Sequence, residues 1–240
     1  MYRLAPSDFA FLWEECKRCF YLKVHGILPR PRAPFPSIFS KIDLCMKRRM
    51  SGLQTNSLIP DMRPGKFLCE EEDPWIECLP ITPPGHKNSV YIRGKLDAMV
   101  EYADGTYGII DFKTSSSTGA STLYSRQLHA YATAIENPTT DSPLKKARIS
   151  ELGLVIYSPS EFHTPVDSEG RVQAAMTGDL KYVKVERDDA GFLQFLGEVL
   201  DVLNMPEAPP FSSRIRSSAP TCPYCKYLHQ ARDSGLLLKM

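Results

Sequence analysis

The chain has 240 residues, 42% of them hydrophobic and 24% charged, which excludes a disordered, collagen-like or low-complexity protein. Its 29 Lys and Arg against 28 Asp and Glu leave a net charge of +1, so the chain is no polycation that coats nucleic acid, and any such contact must come from a local patch. No run reaches about 18 uncharged apolar residues and no long apolar segment opens the chain, so neither a membrane span nor a signal peptide is expected. With 7 cysteines, a cytoplasmic protein with buried thiols or a metal fits better than a disulfide framework.

In chain order, Ser7 to Val24 reads as one helix capped by Ser7 or Asp8, with Phe9, Leu12, Cys16, Cys19 and Phe20 near one face. A proline-rich connector from Pro29 to Pro36 leads to a second helix over Ile38 to Met50, with Ser37 as its cap. The basic tail of that helix, Lys47-Arg48-Arg49, complements its C-terminal dipole, and the functional alternative is a phosphate contact. The acidic run Glu70 to Asp73 precedes Pro74 and reads as a solvated turn.

Strands follow. "FLCE" and "WIECLP" are short, whereas "VYIRGKLDAMVEY" and "YGIIDFKT" are strong and are separated by "ADGT". A helix covers about Ser121 to Glu136. "LGLVIYS" and "LKYVKVER" read as a buried and a half-exposed strand, and a last helix runs from about Asp189 to Leu203. Two helices, a meander of strands, a helix, more strands and a helix predict one mixed α/β domain over residues 1–240.

Asp97 interrupts an apolar strand pattern, and Asp111 and Lys113 follow Gly108-Ile109-Ile110. Charges inside strands that otherwise look buried need a partner or a metal. A three-residue loop, Ala103-Asp104-Gly105, sets Tyr102 opposite Thr106 and therefore Asp97 opposite Asp111, with Lys113 on the same face. A two-residue loop at Asp104-Gly105 puts Asp97 opposite Phe112 instead. Two carboxylates brought together repel, and Mg²⁺ or Mn²⁺ relieves the repulsion. With a lysine beside them the set suits phosphodiester hydrolysis, and the bland alternative is a structural Asp–Lys ion pair. Gln127 and Tyr131 lie four residues apart on the third helix and share a face from which they can reach phosphate or base.

Cys16 and Cys19 near one end, and Cys222 and Cys225 near the other, form two Cys-x-x-Cys pairs. Four thiolates suit zinc or an iron–sulfur cluster and would tie the termini together. The alternative is that Cys16 and Cys19 are small core residues one helical turn apart. The proline-rich setting of Cys222 and Cys225 favours metal. Cys45, Cys69 and Cys78 lack partner spacing and read as structural. His25, His86, His129 and His163 are scattered, and none is assigned to catalysis.

"GKLD", then "IIDFKT", then "QLHAYA" together resemble the PD-(D/E)XK nuclease superfamily, specifically its RecB-like branch. The resemblance implies a restriction-endonuclease-like fold: a mixed sheet flanked by helices. It implies that Asp97, Asp111 and the Phe112 carbonyl hold Mg²⁺ or Mn²⁺, that Lys113 positions the attacking water, and that Gln127 and Tyr131 contact DNA. The family supplies one more ligand, often His or Glu, from an upstream helix, and here Asp43 stands in that place. The alternative for Asp43 is a plain exposed helix aspartate.

"LWEECKRCFYL" and the C-terminal cysteines look like the CRISPR adaptation exonucleases and AddB-type nucleases, which hold a 4Fe-4S cluster on one N-terminal and three C-terminal cysteines. Here only Cys222 and Cys225 stand at the C-terminal end, so Cys19 or His229 would complete the set, and Zn²⁺ is the alternative occupant. Residues 1–28 and 204–240 would form a terminal subregion pinned by that metal. The implied function is a metal-dependent DNA nuclease acting on single strands or ends in repair, recombination or defence. The alternative is a non-cleaving DNA-binding or partner-binding subunit of a recombination complex.

Overall fold

The strands gather into two sheets instead of one. The computed structural model describes residues 1–31, 36–70, 74–115, 121–211 and 221–235, with the backbone alone for Ser121 and Thr122. Parts of the connector before Ser37, the acidic run before Pro74 and the Pro- and Ser-rich stretch before Cys222 lie outside them. The N-terminal part comprises β1 (Tyr2–Leu4), α1 (Pro6–Ala10), α2 (Leu12–Glu15), α3 (Lys17–Val24), α4 (Ser37–Met50) and α5 (Thr55–Leu58). The central strands are β2 (Gly65–Cys69), β3 (Trp75–Glu77), β4 (Val90–Lys95), β5 (Ala98–Tyr102) and β6 (Tyr107–Thr114). Then come α6 (Ser121–Glu136), β7 (Ile149–His163), β8 (Ala175–Val185), α7 (Asp189–Leu203) and α8 (Pro223–Asp233).

The small sheet has the order β1-β4-β3 and the larger one β2-β5-β6-β7-β8. Both are mixed: β1 runs parallel to β4 and β3 antiparallel to it, while β6 and β7 are the parallel pair of the larger sheet. β6 is central and covered on both faces, which is why Gly108 to Phe112 are all buried. Ile109 belongs to the core shared with α1, α2, α3, α6 and α7, where Phe9, Trp13, Phe20, Leu128 and Leu196 pack. Ile110 and Phe112 point to the opposite face, where Met50 of α4 closes a smaller core with Phe67, Val100 and Val155. The period-2 alternation of β6 thus assigns Asp111 to the Ile109 face. α7 buries Phe192, Phe195, Leu196, Val199, Leu200 and Leu203, and the Asp188 carboxylate caps it by accepting the Gly191 N–H. Each such large apolar side chain contributes about 1.5–3 kcal/mol.

Four expectations change. The helix read over Ser7 to Val24 is three short helices that start at Pro6, because Phe11 and Cys16 break it. The long strand over Val90 to Tyr102 is two, because the chain passes from one sheet to the other at Leu96-Asp97. The C-terminal cysteines do not sit in a plain loop: Cys222 is the N-cap of α8 and Cys225 lies in its first turn. α4 begins one residue earlier than expected: Pro36 takes the capping position and Ser37 is the first helical residue.

Candidate functional site

The hairpin loop decides which side chains meet. Ala98 pairs with Ile110 and Glu101 with Tyr107. The Gly105 N–H donates to the Tyr102 carbonyl and the Tyr102 N–H to the Thr106 carbonyl, both at 3.0 Å. Gly105 has φ of 77°, the left-handed conformation that closes a three-residue loop and that a side chain would resist. This register places Asp97, one step beyond the last ladder pair, opposite Asp111 and not opposite Phe112.

Asp97 stands where the chain changes sheets, outside either ladder, and its Oδ2 accepts the Phe112 N–H at 3.0 Å. Asp111 is 2% exposed. Its Oδ1 accepts from Gln127 Nε2 at 3.1 Å, and its Oδ2 is ion-paired with the Lys113 ammonium. Burial pushes the Asp111 carboxyl up to about 7 against the pull of Lys113, and the neighbouring Asp97 carboxylate pushes the same way. Burial disfavours the Lys113 charge, but Asp111 outweighs it, so the ammonium holds its proton more firmly than an ordinary lysine. The Lys113 Nζ also lies 4.6 Å from the centre of the Tyr124 ring, a cation–π contact. A buried carboxylate whose proton affinity is raised by a second carboxylate beside it is suited to share a divalent cation with that neighbour instead.

Gln127 and Tyr131 are both buried. The Gln127 amide donates to Asp111 and also to the Tyr131 hydroxyl at 3.2 Å. In this arrangement the pair fixes a carboxylate. Asp43 and Lys47 come from α4. The Lys47 Nζ is 2.7 Å from Asp43 Oδ2 and 3.4 Å from Asp97 Oδ1. Of the basic tail of α4, Arg48 and Arg49 are exposed whereas Lys47 is buried, so complementing the dipole fits the two arginines and not the lysine. A cleft of about 610 Å³ opens over the group, and Asp43, Asp97 and Lys113 line it with Phe39, Phe112 and Tyr124.

Two residues here escape sequence reasoning. Tyr124 lies three positions before Gln127, so helical spacing could have found it. Lys47 is hidden by its place in a charge run. His129 does not join the site: its Nδ1 donates to the Ser125 carbonyl and its Nε2 accepts the Asp188 N–H, both at 2.8 Å, so it ties α6 to the start of α7.

At the other pole, Cys16, Cys19, Cys222 and Cys225 are all buried, with their sulfurs within 4.8 Å of one another. Cys16 adopts an extended conformation (φ −163°, ψ 104°) that turns its sulfur back to accept the Cys19 N–H. The Cys16–Cys225, Cys19–Cys222 and Cys19–Cys225 sulfur separations are 3.7, 3.8 and 3.6 Å. The hydrogen bond with Cys19 pulls the Cys16 thiol down to about 5. That same bond, then burial, raises Cys19, and burial raises Cys225. The Arg30 guanidinium donates to Cys222 Sγ at 3.2 Å, pairs with Glu15 and lies over the Tyr224 ring. His229 pairs with Asp233 and is not part of the set. The four sulfurs could hold a metal ion.

Paired acidic side chains and a lysine near the end of a central strand, beside a cleft, form a group that could hold a divalent metal. The PD-(D/E)XK nuclease superfamily matches residues 48–230, well over half of the chain, and the chain belongs to this superfamily. Asp97, Asp111, Lys113, Gln127, Tyr131, Cys222 and Cys225 lie within the matched residues, while Cys16, Cys19, Asp43 and Lys47 lie before them. Among solved structures, the crystal structure of SSO0001 aligns with 85% of this chain and 78% of its own, at 15% identity and a TM-score of 0.45; likeness at that level carries no functional argument. No curated protein matches. Among the described residues no helix is long and apolar enough to cross a membrane.

Proposed function

We propose that this chain is a Mg²⁺- or Mn²⁺-dependent DNA nuclease of the RecB-like branch, which hydrolyses phosphodiester bonds in single strands or at DNA ends. The observation that carries the reading is the convergence of Asp97, Lys113 and the buried Asp111 beside one cleft, which Asp97 and Lys113 line. Asp97, Asp111 and the Phe112 carbonyl would hold the ion, with Asp43 beside them. When bound, the ion supplies Lewis acidity toward the phosphate and activates a water. Lys113 holds the attacking water and offsets charge that develops on the phosphate. Gln127 keeps Asp111 in place, and Tyr131 braces Gln127. The same two residues are the candidates for DNA contact from α6. We read residues 1–240 as one nuclease domain, cytoplasmic, and serving repair, recombination or defence.

The thiol cluster supports a single tetrahedral ion, with zinc as its occupant. Zinc about 2.3 Å from four sulfurs sets sulfur separations of about 3.8 Å, and the Cys16–Cys225, Cys19–Cys222 and Cys19–Cys225 separations here are 3.6–3.8 Å. A four-iron cluster carries its irons away from the centre and needs its thiolates wider apart. In this reading the ion pins residues 1–28 to 204–240.

The test is cleavage of end-labelled single-stranded and duplex DNA with Mn²⁺, comparing the wild type with Lys113→Ala. The wild type should cut, and the variant should lose about 10²–10³ in rate. A folded wild type that cuts neither substrate would replace this reading with the non-cleaving subunit.

A further inference from the structure

We infer that Lys47 is the resident counter-ion of the acidic site: it holds Asp43 and Asp97 in the metal-free protein and yields its place when a divalent cation binds. The inference rests on the nuclease reading of the same site. It begins with burial. Lys47 is 2% exposed, although the two arginines that follow it are in solvent. A lysine that serves only the helix dipole has no reason to leave water. A buried ammonium needs acceptors, and this one has carboxylates from two separate elements. Asp43 lies one turn earlier on α4, 2.7 Å away, and Asp97 lies at the sheet crossing, 3.4 Å away.

The charges then sort into two halves. Asp111 is paired with Lys113, and Asp43 and Asp97 share Lys47, which offsets one of their two charges. Without a metal, three carboxylates are therefore held close by two ammonium groups from the chain itself. The Lys47 Nζ sits between oxygens that a metal would use. A divalent ion placed there meets a like charge at contact distance, so ion and ammonium compete for one position. Metal loading becomes an exchange of cations. The chain permits it because the ammonium rides on a flexible four-carbon stem, and Asp43, on the same helix, lines the open cleft into which that stem can turn.

The test needs no turnover. Mn²⁺ is titrated into the metal-free chain by calorimetry, without nucleic acid. Lys47→Met and the more conservative Lys47→Gln should each bind Mn²⁺ about tenfold more tightly than the wild type, since the competing charge is gone. Their metal-free forms should melt at lower temperature and gain more on Mn²⁺ addition than the wild type does. On the wild type itself, acetylation followed by peptide mass spectrometry should find Lys47 protected without metal and labelled once Mg²⁺ is added. Unchanged or weaker Mn²⁺ binding by the variants, or Lys47 labelling indifferent to Mg²⁺, overturns the inference. If that occurs while the wild type cuts DNA, only the role of Lys47 falls. A wild type that binds no Mn²⁺ and cuts nothing removes the nuclease reading together with this inference.

Discussion

The acidic cleft and the thiol cluster each gather groups that could hold a cation, and they do so in opposite ways. The cleft draws its central groups from one continuous stretch, the hairpin and the helix after it, from Asp97 to Tyr131. The cluster joins residues 209 positions apart, Cys16 and Cys225. The cleft carries its own cations, Lys47 and Lys113, and is close to charge balance without a metal. Among the described residues, the cation hydrogen-bonded to the four-sulfur cluster is Arg30. A site whose ligands are placed by local structure and balanced by lysines can lose its metal and keep its shape. A site that is itself the link between chain ends cannot.

Breaking the two sites should expose that difference. On the zinc reading, elemental analysis should find zinc in the wild type, and replacing one cluster cysteine, Cys222→Ser, should cost that ion and several kcal/mol of folding stability. At about 2–4 °C per kcal/mol for a chain of this size, melting should fall by on the order of 10 °C or more. A variant that melts with the wild type would show that the cluster is not a fastening.

At the cleft the effects should fall on metal affinity instead. Gln127→Leu removes the amide that orients Asp111 and should weaken Mn²⁺ binding by about 10–100-fold, with melting of the metal-free protein moved far less than by Cys222→Ser. Unchanged affinity would mean that Lys113 alone fixes the carboxylate.

The smallest effect is that of pH. Asp111 holds its proton up to about 7, and a protonated carboxyl is not a ligand. Mn²⁺ binding should therefore weaken as pH falls from about 8 to 6, by at most about tenfold per pH unit below the carboxyl's titration. Calorimetry in buffers of different ionisation enthalpy should show one proton released on binding at pH 6 and almost none at pH 8. Affinity that ignores pH would place the raised proton affinity elsewhere.

The sequence by itself determined whatever depends on neighbours along the chain. The turn residues Ala103-Asp104-Gly105 set the register that opposes Asp97 to Asp111, because a hairpin's pairing follows from its loop. The 3.6-residue period of α7 identified its buried face, and the spacing of Gln127 and Tyr131 put them on one side of α6. Two Cys-x-x-Cys pairs marked a metal reading before any sulfur was placed.

Tertiary structure alone decided the rest. A helical pattern from Ser7 to Val24 does not reveal that Cys16 must leave the helix, because the reason for the break is a pair of cysteines at the other end of the chain. An apolar run from Val90 to Tyr102 does not show where it changes sheets, because strands of both sheets look alike in sequence and only their partners differ. Lys47 looked like its neighbours Arg48 and Arg49 until α4 was laid across Asp97. Burial and long-range charge pairing depend on what packs opposite, and no local pattern carries that information.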